Sequence, residues 1–498
     1  MGSILISNIG NNDIHVKESF ILPSHRILEK GPIDYKLARE IGREIFEHVK
    51  DLMKNKQHTV ANEILQDKLE YPILDKVLRA LQGYDIESIY LIASDQAGEK
   101  NFQDTVYYAQ IIEKHINSMK GKKDCESIGN CKVRIRTTDK NPADMDDMNE
   151  FYKQTLKGIY SNHDNAEKYY LCVTGGTQAM NSMLLINGVD MFKHRLEVLY
   201  VLPHKKNPLF LQVGQEMLKK LMKERLIASV NNMDFNAAIN LLEDNKNIFY
   251  DSPHFKKVYH SLIYAHARLS FDFELAGEEI KKCVTFSTGN EREFFCQLQE
   301  ETEFEDELKD LKFFLELKDN AKYHALRGEY IDFLGRLFRM QEAGYFILAE
   351  EVGMKTTNDK RYLKESWLLE NKELKRYLES YKTPKGEQLN WRRELNRIIF
   401  EAVVGFFAKN DEKLQMVLND FRDIDQLAEL RNKTLVAHGY QGVSKRIVER
   451  EFGAKLEDIL HMLDRIADGV CNYKNVVFEK SIFYEHFVPN LLNIVEQL

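Results

Sequence analysis

The sequence predicts a Rossmann-like α/β domain with a parallel sheet, joined through a helical spacer to an all-α domain. Three observations carry this expectation. Over the first ~210 residues, short β-branched runs alternate with stretches of helical period, the pattern of a parallel sheet covered on both faces. Beyond that point the strand signals stop, and almost everything to residue 498 has helical periodicity. Only 9 prolines are present, so little interrupts those helices.

SILISNIG (3–10) reads as the first strand, and IDYKLAREIGREIFEHVKDLM (33–53) as the helix behind it. SIYLIAS (88–94) is a second strand, trailed by the helical FQDTVYYAQIIEKHI (102–116). KVRIRTT (132–138) is a third, with a helix over 144–159. YYLCVTGG (169–176) is a fourth, followed by QAMNSMLLINGVDMF, and LEVLYVL (196–202) a fifth. KNPLFLQV (206–213) is the candidate for a last edge strand, because Pro208 removes a ladder donor.

A length of 498 residues is too great for one core. The expected domains are 1–214, the sheet; 215–350, a spacer of amphipathic helices without a chemical motif; and 351–498, a last helical cluster. The break before that cluster lies at YKTPKGEQ (381–388), with Pro384 and Gly386, or earlier near Gly353. Neither a repeat of fixed period nor a low-complexity segment is visible.

Hydrophobic residues at 43% and charged residues at 30% place the chain with soluble globular proteins. A formal charge of -8 argues against stable DNA binding, because neutralising many phosphates takes a broad excess of Lys and Arg. The six cysteines, at 125, 131, 172, 283, 296 and 471, form no CxxC pair, and no secretory leader precedes the first strand. A reduced, cytoplasmic protein without a metal or cofactor is expected. IIFEAVVGFFA (398–408) is short and carries Glu401, so it reads as a buried helix and no membrane partner is expected.

In an open parallel sheet, ligands sit beyond the carboxyl ends of the strands, so the loops there are the place to look. The first carries Asn8, Gly10, Asn11 and Asp13; the second Ser94 and Gln96; the third Thr137 and Thr138; the fourth Gly175, Gly176, Thr177 and Gln178. VTGGTQAM (173–180) is the strongest. Its glycines let the backbone approach a ligand, and the helix after it offers free N–H groups and a positive dipole end to phosphate. It is neither a GxGxxG fingerprint nor a GxxxxGK[ST] loop, which disfavours a dehydrogenase or nucleoside-triphosphatase. A tight strand-to-helix turn capped by Thr177 accounts for the same residues, as ordinary turn formation does for Asn11 and Asp13.

In the last cluster, IDQLAELRNKTLVAHG (424–439) reads as a helix stopped by Gly439. Arg431 and His438 would then share a face, ~10.5 Å apart along the axis. A histidine at a helix C-terminus favours the imidazolium and suits acid–base work. RNA supplies its own nucleophile, the 2′-hydroxyl, so a nuclease needs only a proton carrier and a cation for the phosphorane. One helix offers one histidine, so two copies across a twofold axis would supply a pair. The spacing alone is ordinary among 15 histidines: Arg43 and His48 also make an R-x4-H match, on a solvated helix face. Asn432 beside Arg431 and the all-helical setting favour the later match.

Taken together, ILISNIGNNDI (4–14), VTGGTQAM and RNKTLVAH (431–438) resemble the ribonucleases that accompany type III CRISPR systems. These join a Rossmann-fold sensor domain, CARF, to a C-terminal HEPN nuclease domain, and the resemblance covers the chain end to end. It implies a homodimeric endoribonuclease that cleaves single-stranded RNA when a cyclic oligoadenylate binds the paired sensors. Arg431, Asn432 and His438 match the nuclease residues, and the loops at Asn8–Asp13 and Gly175–Gln178 match the activator contacts. Similarity to Lys- and Asn-rich members makes a six-membered ring the expected activator. Some relatives degrade their activator, and Asn11 and Thr177 are placed to orient a ribose hydroxyl. The rival is a nucleotide-sensing scaffold whose helical half only dimerises or binds a partner.

Other motifs are weaker. KDCESIGNC (123–131) lacks companion ligands at zinc spacing and reads as a loop. EDELK (305–309), and WRRELNR (391–397) and SKRIVER (444–450) flanking the nuclease motif, read as exposed helix faces, though the latter two could line an RNA groove.

Overall fold

The computed structural model describes residues 2–120, 128–250, 252–303, 308–383, 386–434, 439–477 and 480–498. It divides into two compact units, Met1–Arg225 with Glu243–Asp251, and Leu226–Leu242 with Ser252–Leu498.

The first unit is built on one sheet of six strands: β1 (Ser3–Asn8), β2 (Ile86–Ser94), β3 (Lys132–Thr138), β4 (Tyr169–Cys172), β5 (Leu196–Tyr200) and β6 (Leu209–Leu211). They lie in the order β3-β2-β1-β4-β5-β6. The first five pair in parallel and β6 runs antiparallel along the β5 edge, as a strand next to Pro208 should. This is the doubly wound order, with the reversal between β1 and β4. Every residue of β1 and β4 is buried, whereas the edge strand β3 is largely half-buried or exposed and carries Lys132, Arg134 and Arg136. Charge on an edge blunts pairing with other chains.

The connections hold α1 (Ala38–Lys54), α2 (Val106–Met119), α3 (Met145–Asn162) and α4 (Gln178–Phe192), with α1 packed on α2 and α3 on α4. Asp144 starts α3 by accepting from the N–H groups of Asp146 and Asp147, at 2.9 and 3.0 Å. The segment between β1 and β2 also holds short antiparallel pairings, His15–Val16 between Gly31–Pro32 and Leu69–Glu70, and Phe20–Ile21 with Ile27–Leu28. Two-residue strands have no period to read, so the sequence does not announce them.

The line between the units falls inside α5 (Val213–Asn231), about a dozen residues beyond the expected boundary at 214. The second unit contains α6 (Phe255–Leu269), α7 (Phe273–Phe286), α8 (Gly289–Glu301), α9 (Lys309–Leu326), α10 (Tyr330–Glu351), α11 (Arg397–Phe407), α12 (Glu412–Asp423), α13 (Asp425–Asn432), α14 (Lys445–Phe452), α15 (Leu456–Tyr473) and α16 (Ile482–Val495). The expected division at 350 falls on the last turn of α10, and one apolar cluster runs from Leu311 to Cys471 across it. Spacer and last cluster therefore share a core. As expected, 398–408 is buried helix, with Ile399, Val403 and Val404 inaccessible. No helix among the described residues is long and apolar enough to cross a membrane.

A charged knot holds the far end of this unit. Arg268, fully buried on α6, gives Nε and Nη2 to the two oxygens of Glu316 at 3.0 and 2.8 Å and Nη1 to Glu301 at 2.8 Å. Its remaining donors reach the Tyr264 hydroxyl and Ser481 Oγ. Glu301 in turn accepts from the Ile482 and Phe483 N–H groups, so a carboxylate from α8 caps α16.

Candidate functional site

Asn8 ends β1 and Thr174 follows β4, so their loops flank the reversal point where ligands of such sheets bind. Asn8 itself is buried. Its Oδ1 accepts from the Tyr152 hydroxyl at 2.6 Å and its Nδ2 donates to Asn181 Oδ1 at 2.9 Å, tying β1 to α3 and α4. The glycines do what their type allows. A Cβ on Gly175 would overlap the Asn8 carbonyl, one on Gly10 would overlap the Gly176 nitrogen, and Gly176 has φ +78. The two loops therefore meet main chain to main chain.

That contact partitions the crevice. On one side a cavity of about 470 Å³ is lined by Asn11, Ser94, Gln96, Thr105, Pro142 and Thr177 among others. On the other a cavity of about 330 Å³ is lined by Asn11, Asp13, His15, Lys76 and Thr174. Gly10, Asn11 and Gly176 border both. Thr177 caps α4 by accepting from the Met180 N–H at 3.1 Å, and its hydroxyl donates to the Pro142 carbonyl. Lys76 is held at the second cavity by the carbonyls of Leu202 and Pro203, at 3.2 and 3.0 Å.

Asp13 is the unusual member. It is 1% exposed, one oxygen accepts from the Gly10 N–H at 2.7 Å, and the other has no partner among the described residues. Burial pushes its carboxyl up to about 7 against the lowering effect of that N–H. The group faces Tyr108 and the Cys172 thiol, itself pushed up to about 11 by burial and by Asp13. Between 3.8 and about 7 the unfolded chain has released this proton and the folded chain keeps it. Stability contributed by the group is thus full below that window, falls as pH rises through it at on the order of 1 kcal/mol per pH unit, and is flat above. Asp13→Asn should flatten the melting temperature between pH 5 and 7; an unchanged slope would place the titration elsewhere.

Of the other expected residues, Ser94 is buried, its N–H and Oγ paired with Thr105 at 3.3 Å each. Gln96 borders the first cavity, whereas Thr137 and Gln178 are exposed and border neither. The structure adds residues the sequence reading passed over. Asp104, 1% exposed, accepts from the Gln96 N–H at 2.5 Å and pairs with Arg39 at 2.8 Å, and Thr105 donates to the Ile9 carbonyl. Burial raises the Asp104 carboxyl despite those bonds. Asn-Pro at 141–142 is a turn signal that sequence could have placed at the site; Arg39 and Asp104 give none.

In the second unit the expected helix to Gly439 is corrected. α13 ends at Asn432, with Lys433 as its cap and the Thr434 hydroxyl bonded back to the Arg431 carbonyl at 2.7 Å. Gly439 and Gln441 return their N–H groups to the Thr434 and Lys433 carbonyls, at 3.1 and 2.9 Å. A Cβ on Gly439 would overlap the Lys433 carbonyl, so the close main-chain approach there needs glycine. His438 lies outside the described residues, as do Cys125 and most of EDELK. Arg431, half-buried in the last turn of α13, stands 4.5 Å over the Phe338 ring with its Nη1 3.2 Å from Asn432 Oδ1. Its Nε is buried with no partner among the described residues. Arg397, from WRRELNR, approaches the same ring at 6.0 Å and is anchored on Asp425 and Gln341. Arg43 of the chance match is exposed on α1. No group of three or more His, Cys, Asp or Glu among the described residues could hold a metal ion.

No family model and no curated protein sequence matches the chain. A solved structure does: Csm6 from Enterococcus italicus, bound to cyclic hexa-2′-fluoro-hexa-dAMP, superposes with a TM-score of 0.62 over 100% of both chains at 14% identity. The chain has the Csm6 fold. The sheet followed by helices that the sequence predicts is thus borne out, and so is the fold that the resemblance implies. Within the Csm6 fold of this chain, the GGT turn and the first-strand loop lie at the reversal of the sheet, and RNKT closes a helix of the all-α unit.

Proposed function

We propose that the chain is a type III CRISPR effector that binds a cyclic oligoadenylate in its first unit and cleaves single-stranded RNA in its second. The observation that carries this reading is the end-to-end likeness in fold to a Csm6 holding a cyclic hexanucleotide analogue. Support comes from a crevice already formed at the β1–β4 reversal, with main-chain groups and the N-terminus of α4 at its edge. The six-membered ring is the activator we assign. Of the two residues expected to orient a ribose hydroxyl, Thr177 has its hydroxyl engaged by Pro142, whereas Asn11 Oδ1 has no partner among the described residues. Asn11 is therefore the one we assign to any self-limiting cleavage of the activator.

In the second unit, Arg431 would stabilise the phosphorane, His438 would move the proton, and Asn432 would orient the phosphate. The 2′-hydroxyl attacks, so the products are a 2′,3′-cyclic phosphate and a 5′-hydroxyl, and no metal enters. A homodimer would pair two such sites. Cleavage of a labelled single-stranded RNA in EDTA, with and without four- and six-membered rings, tests this reading. Full activity in EDTA that needs one ring is expected. Loss in EDTA, or indifference to every ring, would count against it, and tight ring binding without cleavage would make the chain a sensing scaffold.

A further inference from the structure

Gly439 is followed by Tyr440, whose side chain is 92% exposed. A single exposed apolar residue is common and needs no explanation by itself. This one is not frayed. The residues on either side donate their N–H groups to main-chain carbonyls, Gly439 to Thr434 and Gln441 to Lys433, and Thr434 is fully buried. The backbone of Tyr440 is thus fixed while its ring is presented to solvent. Among the described residues near it in sequence, Asn432, Lys433, Gly442 and Ser444 are exposed as well. An exposed aromatic ring and an exposed lysine, brought near each other in the chain by the Gln441 N–H to Lys433 carbonyl bond and flanking the RN-x5-H motif, are the residue types that single-stranded nucleic acid uses: a base stacks and a phosphate is neutralised.

We propose that Tyr440 is a base-stacking residue that grips one nucleotide of the RNA substrate beside the scissile phosphate, with Lys433 on the adjoining phosphate. This rests on the ribonuclease reading above. The experiment compares wild type with Tyr440→Ala, Tyr440→Phe and Tyr440→Trp, as full chains with activator, on a short single-stranded RNA and on copies with one abasic nucleotide at each position in turn. Stacking is worth a roughly five- to hundred-fold change in binding. KM should rise by that factor in Tyr440→Ala with kcat within about twofold, and Phe and Trp should restore it. At one position the abasic substitution should weaken wild type to the level of Tyr440→Ala and leave that variant unaffected. Equal KM for wild type and Tyr440→Ala, failure of Phe and Trp to rescue, or a drop in dimer mass in place of a KM effect would overturn the proposal while leaving the ribonuclease reading standing. A wild type that neither binds nor cleaves RNA would overturn both.

Discussion

Arg431→Ala is expected to lower single-turnover RNA cleavage by roughly 10²–10³-fold, the cost of removing one charge-stabilising donor from a phosphorane site. Activator affinity should be unchanged. The guanidinium is set by packing on Phe338 and by Asn432, and its buried Nε has no acceptor among the described residues, so its orientation depends on the planar fork. Lysine keeps the charge and loses the fork, so Arg431→Lys should recover little. His438→Ala should be as damaging, and the double variant no worse than either, because residues acting on one transition state are not additive. Near-normal cleavage by Arg431→Ala would move the site away from α13.

Arg268→Ala should destabilise the second unit by about 3–5 kcal/mol, since it leaves the buried Glu316 carboxylate without its cation. Glu316 is 5% exposed, and Glu301 would keep only its contacts to the start of α16. The phenyl ring of Phe483, 4.6 Å from the guanidinium, would lose its cation as well. Urea unfolding of the full chain measures this. Adding Glu316→Gln should recover part of the loss, because the stranded charge is then gone; additive losses would show that the two residues do not act as a pair.

The strands were legible because a sheet buried on both faces writes itself as apolar runs, and SILISN and YYLC are the clearest cases. Their order is not in those runs. The crevice was half legible: Gly10, Gly175 and Gly176 stood out as residues, but that Gly10 and Gly176 touch, and so divide the ligand space, depends on pairing across the sheet. Asp104 and Arg39 gain their place through each other, the Asp95 carboxylate and the Gln96 backbone, none of them near in sequence to Arg39. The helix that seemed to run to Gly439 failed for a local reason. Apolar spacing continues through Leu435, yet the Thr434 hydroxyl takes the Arg431 carbonyl, and the N–H groups of Gly439 and Gln441 take the Thr434 and Lys433 carbonyls. Periodicity registers side chains, and these are bonds to main chain.

The partition between the two cavities is built from peptide groups. Substitution cannot alter a peptide group, so the divider is the one part of this crevice that mutation can destroy but not adjust. Gln96 lines only one chamber, and His15 and Lys76 line only the other, so their side chains can be changed one chamber at a time. A lineage could therefore retune what one chamber accepts while the neighbouring chamber keeps its shape, and an engineer could do the same one wall at a time.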